Sequence, residues 1–117
     1  MSEEQDSILI GLVQELRRGT IILGVLSQVS KPQYGYSLVV RLQERGMNVE
    51  AGTLYPLLRR LEKQGLLSSE WDTNEARPRK YYIISETGKV IYRQLYSEWK
   101  DMMTSLEGLI DHREESE

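Results

Sequence analysis

Two short clusters of cations carry the chemistry this chain can offer. Arg59, Arg60 and Lys63 lie within the stretch Gly-Thr-Leu-Tyr-Pro-Leu-Leu-Arg-Arg-Leu-Glu-Lys-Gln-Gly-Leu-Leu at 52–67, and Arg77, Arg79 and Lys80 follow about ten residues later. Guanidinium and ammonium groups gathered in this way bind phosphate oxygens. Side chains suited to catalysis are missing. The 117 residues contain no cysteine, which excludes disulfide scaffolds, thiolate metal sites and cysteine nucleophiles. His112 is the one histidine and sits in an acidic tail, with no second imidazole or thiol to complete a metal site. Glu114, Glu115 and Glu117 read as a solvated tail end rather than paired catalytic carboxylates. No serine stands in a nucleophile motif and no glycine-rich phosphate loop is present, so no enzyme activity and no cofactor are expected.

The elements that must position these cations follow from apolar spacing. At about 100° per residue, Leu54, Leu57, Leu58 and Leu61 form one stripe of a helix that stops at Gly65. The opposite side carries Gly52, Pro56, Arg59, Arg60 and Lys63, with Thr53 and Tyr55 flanking the first turn. Pro56 is expected within that first turn, where backbone N–H groups lack intrahelical acceptors. Gly52 and Thr53 keep the helix start slim enough to approach a phosphate or a groove floor. Leu66 to Trp71 reads as a strand, Asp72 to Pro78 as a polar loop and Arg79 to Ile84 as the returning strand. In an isolated helix the cationic side would be an ordinary solvated face. A helix followed by a basic two-stranded wing instead presents both to one partner, and duplex DNA suits that surface.

Upstream, Ile8, Leu9, Leu12, Val13, Leu16, Ile22, Leu23 and Leu26 recur at three- and four-residue steps, which predicts one long helix from Ser7 to about Val29. Residues 1–6 are polar and expected to fray. Ser30-Lys31-Pro32-Gln33 reads as a turn, and a second helix follows from about Gly35 to Arg45, ending at Gly46. Asn48 is the expected cap of the third helix and Ser85 that of the last, with Glu86 near its positive end.

In the last helix Tyr92, Leu95, Tyr96, Trp99, Met102, Met103, Leu106, Leu109 and Ile110 make a wide apolar stripe with heptad character. A domain this small is not expected to cover it, and such stripes mark interfaces. Homodimerisation through Leu95, Trp99, Met102, Leu106 and Ile110, with Leu9, Leu12 and Leu16 of the first helix packed on the partner, is the expected use. Charge is distributed to match: residues 31–80 hold nine Lys/Arg against six acids, whereas residues 98–117 hold seven acids against two bases. The net charge of −3 therefore hides a basic middle and an acidic end. The length suits a single domain, no run of about eighteen apolar residues occurs and no signal sequence opens the chain, so a cytoplasmic location is expected.

Taken jointly, these motifs resemble the PadR-type transcriptional regulators, a winged helix-turn-helix family. The resemblance runs through Leu16-Arg17-Arg18-Gly19-Thr20, Tyr34-Gly35-Tyr36, Gly52-Thr53-Leu54-Tyr55-Pro56-Leu57-Leu58, Arg60-Leu61-Glu62, Gly65-Leu66-Leu67, Arg79-Lys80-Tyr81-Tyr82, Ile84-Ser85 and Gly88. It spans roughly residues 16–99. Ala76 stands where many members have glycine, and Ser85 where threonine is usual. The single C-terminal helix resembles the compact branch of the family.

The expectation is an α+β, mostly α fold. Residues 1–85 would form a winged helix-turn-helix DNA-binding unit with an N-terminal helix extension. Residues 86–117 would form a dimerisation helix with an acidic tail. The resemblance implies DNA contacts for Tyr36, Thr53, Tyr55, Pro56, Arg59, Arg79 and Lys80, and the helix face and the basic loop add Gly52, Lys63 and Arg77 to the expected surface. The resemblance also implies a site for a flat aromatic effector at Trp99, with Tyr92, Tyr96 and Met103 beside it. The function implied is a homodimeric, ligand-responsive repressor bound to an inverted-repeat operator, its arms of the ATGT/ACAT kind that the family tends to prefer. Two alternatives are a winged-helix protein–protein adaptor without DNA binding and a small-molecule binder whose DNA-binding half is vestigial.

Overall fold

A computed structural model describes residues 2–74 and 76–116, the side chains of 112–116 excepted. His112, Glu114, Glu115 and Glu117, read above as a tail without metal or catalytic chemistry, fall outside the described side chains, as does Glu75 in the wing loop. Five helices and three strands follow in the order α1 (Glu3–Arg18), α2 (Ile21–Ser27), β1 (Gln33–Tyr34), α3 (Gly35–Glu44), α4 (Ala51–Lys63), β2 (Leu67–Asp72), β3 (Arg79–Ile84) and α5 (Glu86–Ser116). The expected winged helix-turn-helix with a long C-terminal helix is the observed architecture.

Four local expectations need correction. The long first helix is two helices. At Gly19–Thr20 the Thr20 amide bonds the Arg17 carbonyl at 2.9 Å and the Thr20 hydroxyl bonds the same oxygen at 2.7 Å, so the ladder tightens and α2 starts afresh. The amino terminus does not fray at residue 2. Ser2 and Gln5 form a reciprocal capping box, each amide donating to the other's side-chain oxygen at 3.1 Å, and Glu3, Glu4 and Asp6 lie at the positive helix end. Asn48 does not cap α4. Val49 is drawn into the core, the chain runs extended through Glu50, and Glu50 becomes the N-cap without a side-chain cap bond. Finally, the expected Ser30–Gln33 turn runs into a short strand: β1 pairs antiparallel with β3 through Gln33–Tyr82 and Tyr34–Tyr81, giving a three-stranded sheet in the order β1-β3-β2. Two residues are too few to show a period-two signal.

The core joins α2, α3, α4 and the inner face of the sheet, with Leu26, Leu38, Leu54, Leu58 and Leu61 fully buried. Tyr82 and Ile84 close it from β3, and Tyr92 and Leu95 of α5 pack against its edge. Gly65 takes φ +82, a left-handed conformation open to glycine at little cost, and so ends α4 and turns the chain into β2. The Ser85 hydroxyl caps α5 as expected, accepting the Gly88 amide at 2.9 Å while donating to the Gly65 carbonyl at 2.6 Å.

The rest of the molecule lies outside this core. No residue of α1 is buried, and every described side chain of α5 beyond Leu95 is exposed. The protomer measures 63 × 37 × 22 Å with a radius of gyration of 17.8 Å. A compact chain of this length would have a radius of roughly 13 Å. No helix among the described residues is long and apolar enough to cross a membrane.

Candidate nucleic-acid interface

The outward face of α4 carries Gly52, Thr53, Pro56, Arg59, Arg60 and Lys63, all exposed. Thr53 and Leu54 both donate their amides to the Glu50 carbonyl, so the Ala51 and Gly52 N–H groups precede the intrahelical ladder and point out of the helix start. Pro56 is the sixth residue of α4, one turn later than expected. It therefore removes a donor from the helix interior, the one that would have reached the Gly52 carbonyl. Both residues lie on the exposed face, where that oxygen can find another partner.

Tyr36, at the start of α3, is 68% exposed. Tyr55 behaves differently. Its ring is half-buried and lies against Gly35, where an added Cβ would stand 2.5 Å from Cε1. Glycine at 35 thus lets α3 and α4 meet at the helix-turn-helix corner. Tyr55 fastens that corner while Tyr36 extends from it.

The wing holds its cations in two settings. Arg79 lies on the outer face of β3 with its guanidinium 3.7 Å from the centre of the Tyr34 ring. Tyr34 in turn donates its hydroxyl to Asp72 Oδ2 at 2.5 Å, so a residue from β1 braces the wing tip. That hydrogen bond, ahead of the Asn74 amide, holds the Asp72 carboxyl below its ordinary range. Lys80 is on the inner face, where Nζ pairs with Glu62 Oε1 of α4 at 3.3 Å. Glu62 also accepts the Ser69 hydroxyl, and this bond more than the lysine pulls its pKa down. Lys80 is therefore tied to α4 and is not a free fingertip. Arg77 is exposed in the loop. Trp71, opposite Lys80 in the β2–β3 register, is 62% exposed on the same face and is not among the residues that the sequence assigns to the site. An aromatic residue among the polar Ser68, Ser69, Glu70 and Asp72 of the strand is the available signal.

The expected effector residues form a ladder on α5. The Tyr92 and Tyr96 rings stack at 6.5 Å and 7°, and Tyr96 and Trp99 at 6.2 Å and 16°. Lys100 Nζ lies 5.0 Å from the Tyr96 centroid, and Met103 is exposed beside the ladder. Of the expected interface residues, Leu9, Leu12, Leu16, Trp99, Met102, Leu106 and Ile110 are all exposed. Leu95 packs on the protomer's own core. No cluster of potential metal ligands occurs among the described residues.

A cleft of about 350 Å³ lies between the α1–α2 junction and α4, lined by Arg18, Ile21, Ile22, Thr53, Pro56, Leu57 and Arg60. Nothing in the residue spacing joins Arg18 to Arg60, because only the break at Gly19–Thr20 and the seating of α2 bring them to one cleft.

Similar proteins agree with this architecture. Residues 22–94 match the transcriptional regulator PadR-like family. A PadR family transcriptional regulator from Eggerthella lenta is 45% identical, with a TM-score of 0.90 over 93% of this chain and 97% of that one. A PadR-like transcriptional regulator from Bacillus cereus is 27% identical, with a TM-score of 0.72 over 82% and 96%. The transcriptional regulator Rv3488 of Mycobacterium tuberculosis is 35% identical over 78 residues, 66% of this chain and 73% of that protein. The family consists of transcriptional regulators rather than enzymes. The family match spans α2 through most of the core-packed part of α5, and the chain belongs to the PadR-like family of transcriptional regulators.

Proposed function

We propose that this chain is a homodimeric repressor that binds an inverted-repeat operator and is released from it by a flat aromatic effector. PadR regulators bind DNA and are generally dimeric. The observation that carries the reading is the shared outward presentation of the α4 face, Tyr36 and the wing cations by a protomer whose α1 and distal α5 are uncovered. In this reading residues 1–85 bind DNA and 86–117 join the two copies. Gly52, Thr53, Pro56, Arg59 and Lys63 face the major groove with Tyr36, while Tyr55 sets the angle of the helix behind them. Arg77 and Arg79 contact backbone. Lys80 reaches a phosphate only by exchanging Glu62 for it. Two recognition helices about a two-fold axis require half-sites about one turn apart, roughly 34 Å.

Leu9, Leu12, Leu16, Met102, Leu106 and Ile110 supply the dimer contact. The Tyr92–Tyr96–Trp99 ladder then lies near the axis, where a planar ligand gains by stacking and Met103 adapts to its shape. Such a ligand releases DNA only by favouring a dimer with wrongly spaced recognition helices.

The test combines sedimentation with binding to a randomised duplex pool at several salt concentrations. A dimer that selects an inverted repeat is expected, and a stable monomer on single half-sites would refute the reading. Arg59→Ala should cost about 1–3 kcal/mol and relax one operator position. Trp99→Ala should keep operator binding but lose its release by planar aromatics, and in a Trp71→Tyr protein that retains Trp99 the same compounds should quench the remaining tryptophan. Absence of salt-dependent duplex binding would favour the adaptor reading.

A further inference from the structure

We infer that Arg18 and Arg60 form a second phosphate clamp, on the side of the recognition helix opposite the wing; this rests on the DNA-binding reading above. On α4, Glu62 and Tyr55 lie to one side of the buried Leu54–Leu58–Leu61 stripe, and Thr53, Leu57 and Arg60 to the other. The first side is occupied by the wing through Ser69 and Lys80 and by α3 through Gly35. The second side opens into the cleft of about 350 Å³ where Arg18, from the last turn of α1, meets Arg60 and Thr53.

A recognition helix about 10–12 Å across fills a major groove about 12 Å wide, so each side of it faces a phosphate wall. The wing serves one wall. Two exposed guanidiniums and a threonine hydroxyl, all donors, stand at the other. Neither arginine forms an ion pair within the described residues, in contrast to Lys80, whose charge is already met by Glu62. The cleft floor is Ile21, Ile22 and Leu57, which are half-buried against the core and fix α2 at this distance from α4. The break after Arg18 matters here, because a continuous helix would carry no turn at that position. The clamp recognises backbone and carries no base preference.

The experiment measures binding of full-length protein to a fixed inverted-repeat duplex, selected from a random pool by the wild type, and to a mixed-sequence duplex. Arg18→Gln, Arg60→Gln, the double variant and Arg17→Gln are compared, the last as an exposed neighbour outside the cleft. Unchanged thermal melts establish that each variant is folded. Loss of both contacts from both protomers removes four phosphate contacts and should reduce the slope of log K against log salt by about four units, equally on both duplexes. Ethylation interference should lose one group of phosphates per half-site in the double variant, while Arg79→Ala loses the group on the other side. Arg17→Gln should leave both patterns intact.

The inference is overturned if the wild type binds duplex and the double variant keeps its salt slope and its phosphate pattern. An equal loss in Arg17→Gln would overturn it too, since bulk charge would then explain the effect. So would saturable binding of benzoate that the double variant loses while its DNA binding is unchanged, which would make the cleft a small-anion site. A wild type without salt-dependent duplex binding refutes the proposed function itself, and the clamp with it.

Discussion

From Val25 to Leu67 every leucine and valine is buried or half-buried, whereas Leu9, Leu12 and Leu16 on α1 and Leu106 and Leu109 on α5 are 47–75% exposed. Both sets come from helices of similar amphipathic spacing. The difference lies in what surrounds them. The central set is closed over by a sheet and by the first turns of α5; the outer set projects, exposed among the described residues, from a protomer 63 Å long. Exposed apolar stripes of this extent call for a partner surface. One region of the chain thus folds by its own contacts, and the other is completed by a second copy in the proposed dimer.

The most forceful way to break this contrast is to charge the outer stripe. Met102→Glu combined with Leu106→Glu should leave the winged half folded, with near-native sheet and core signals, but abolish dimerisation. Four unpaired carboxylates at one symmetric interface cost several kcal/mol. Analytical ultracentrifugation checks the outcome, and a persisting dimer would place the interface elsewhere.

A paired truncation sharpens it. Leu58→Ala removes a fully buried side chain and should cost about 2–5 kcal/mol, independent of protein concentration. Leu106→Ala should lower the melting temperature only as strongly as it weakens association, so its effect depends on concentration. Thermal melts over a hundredfold dilution range separate the two.

Smaller effects are expected where the regions join. Ser85 caps α5 and also donates to the Gly65 carbonyl, so Ser85→Ala should cost about 1 kcal/mol in denaturant unfolding. Least of all, the Asp72 carboxyl is held below its ordinary value of 3.8, chiefly by the Tyr34 hydroxyl. A depressed carboxylate contributes stability above its unfolded pKa and loses it as pH falls through the folded one. The stability gap between wild type and Asp72→Asn should therefore be flat at neutral pH and close below about pH 4.

Much of this was legible in the residues. The leucine stripe of α4, the Gly65 stop, the Arg79–Ile84 strand and the Ser85 cap depend on local periodicity and capping, and they stand where the spacing put them. What was not legible required tertiary knowledge. Val49 is buried in the core and the α4 start lies past Asn48, at Glu50; even from that later start Pro56 falls in the second turn, not the first. Thr20 competes for the Arg17 carbonyl, which divides the first helix, although its apolar period continues across the break. The Lys80–Glu62 pair and the Arg79–Tyr34 stack join residues distant in sequence, and pairing of that kind leaves no periodic trace.

The capping box at Ser2 and Gln5 has one more consequence. It begins a sixteen-residue helix that buries none of its side chains in the protomer. Helices near that length are marginal in water by themselves, and this one has favourable end charges and little else to hold it. In the proposed dimer its winding is therefore coupled to encounter with the second copy. Diluting the protein should lower the far-ultraviolet helical signal before any loss of the sheet. Amide exchange along residues 3–18 then becomes a gauge of how many copies have met.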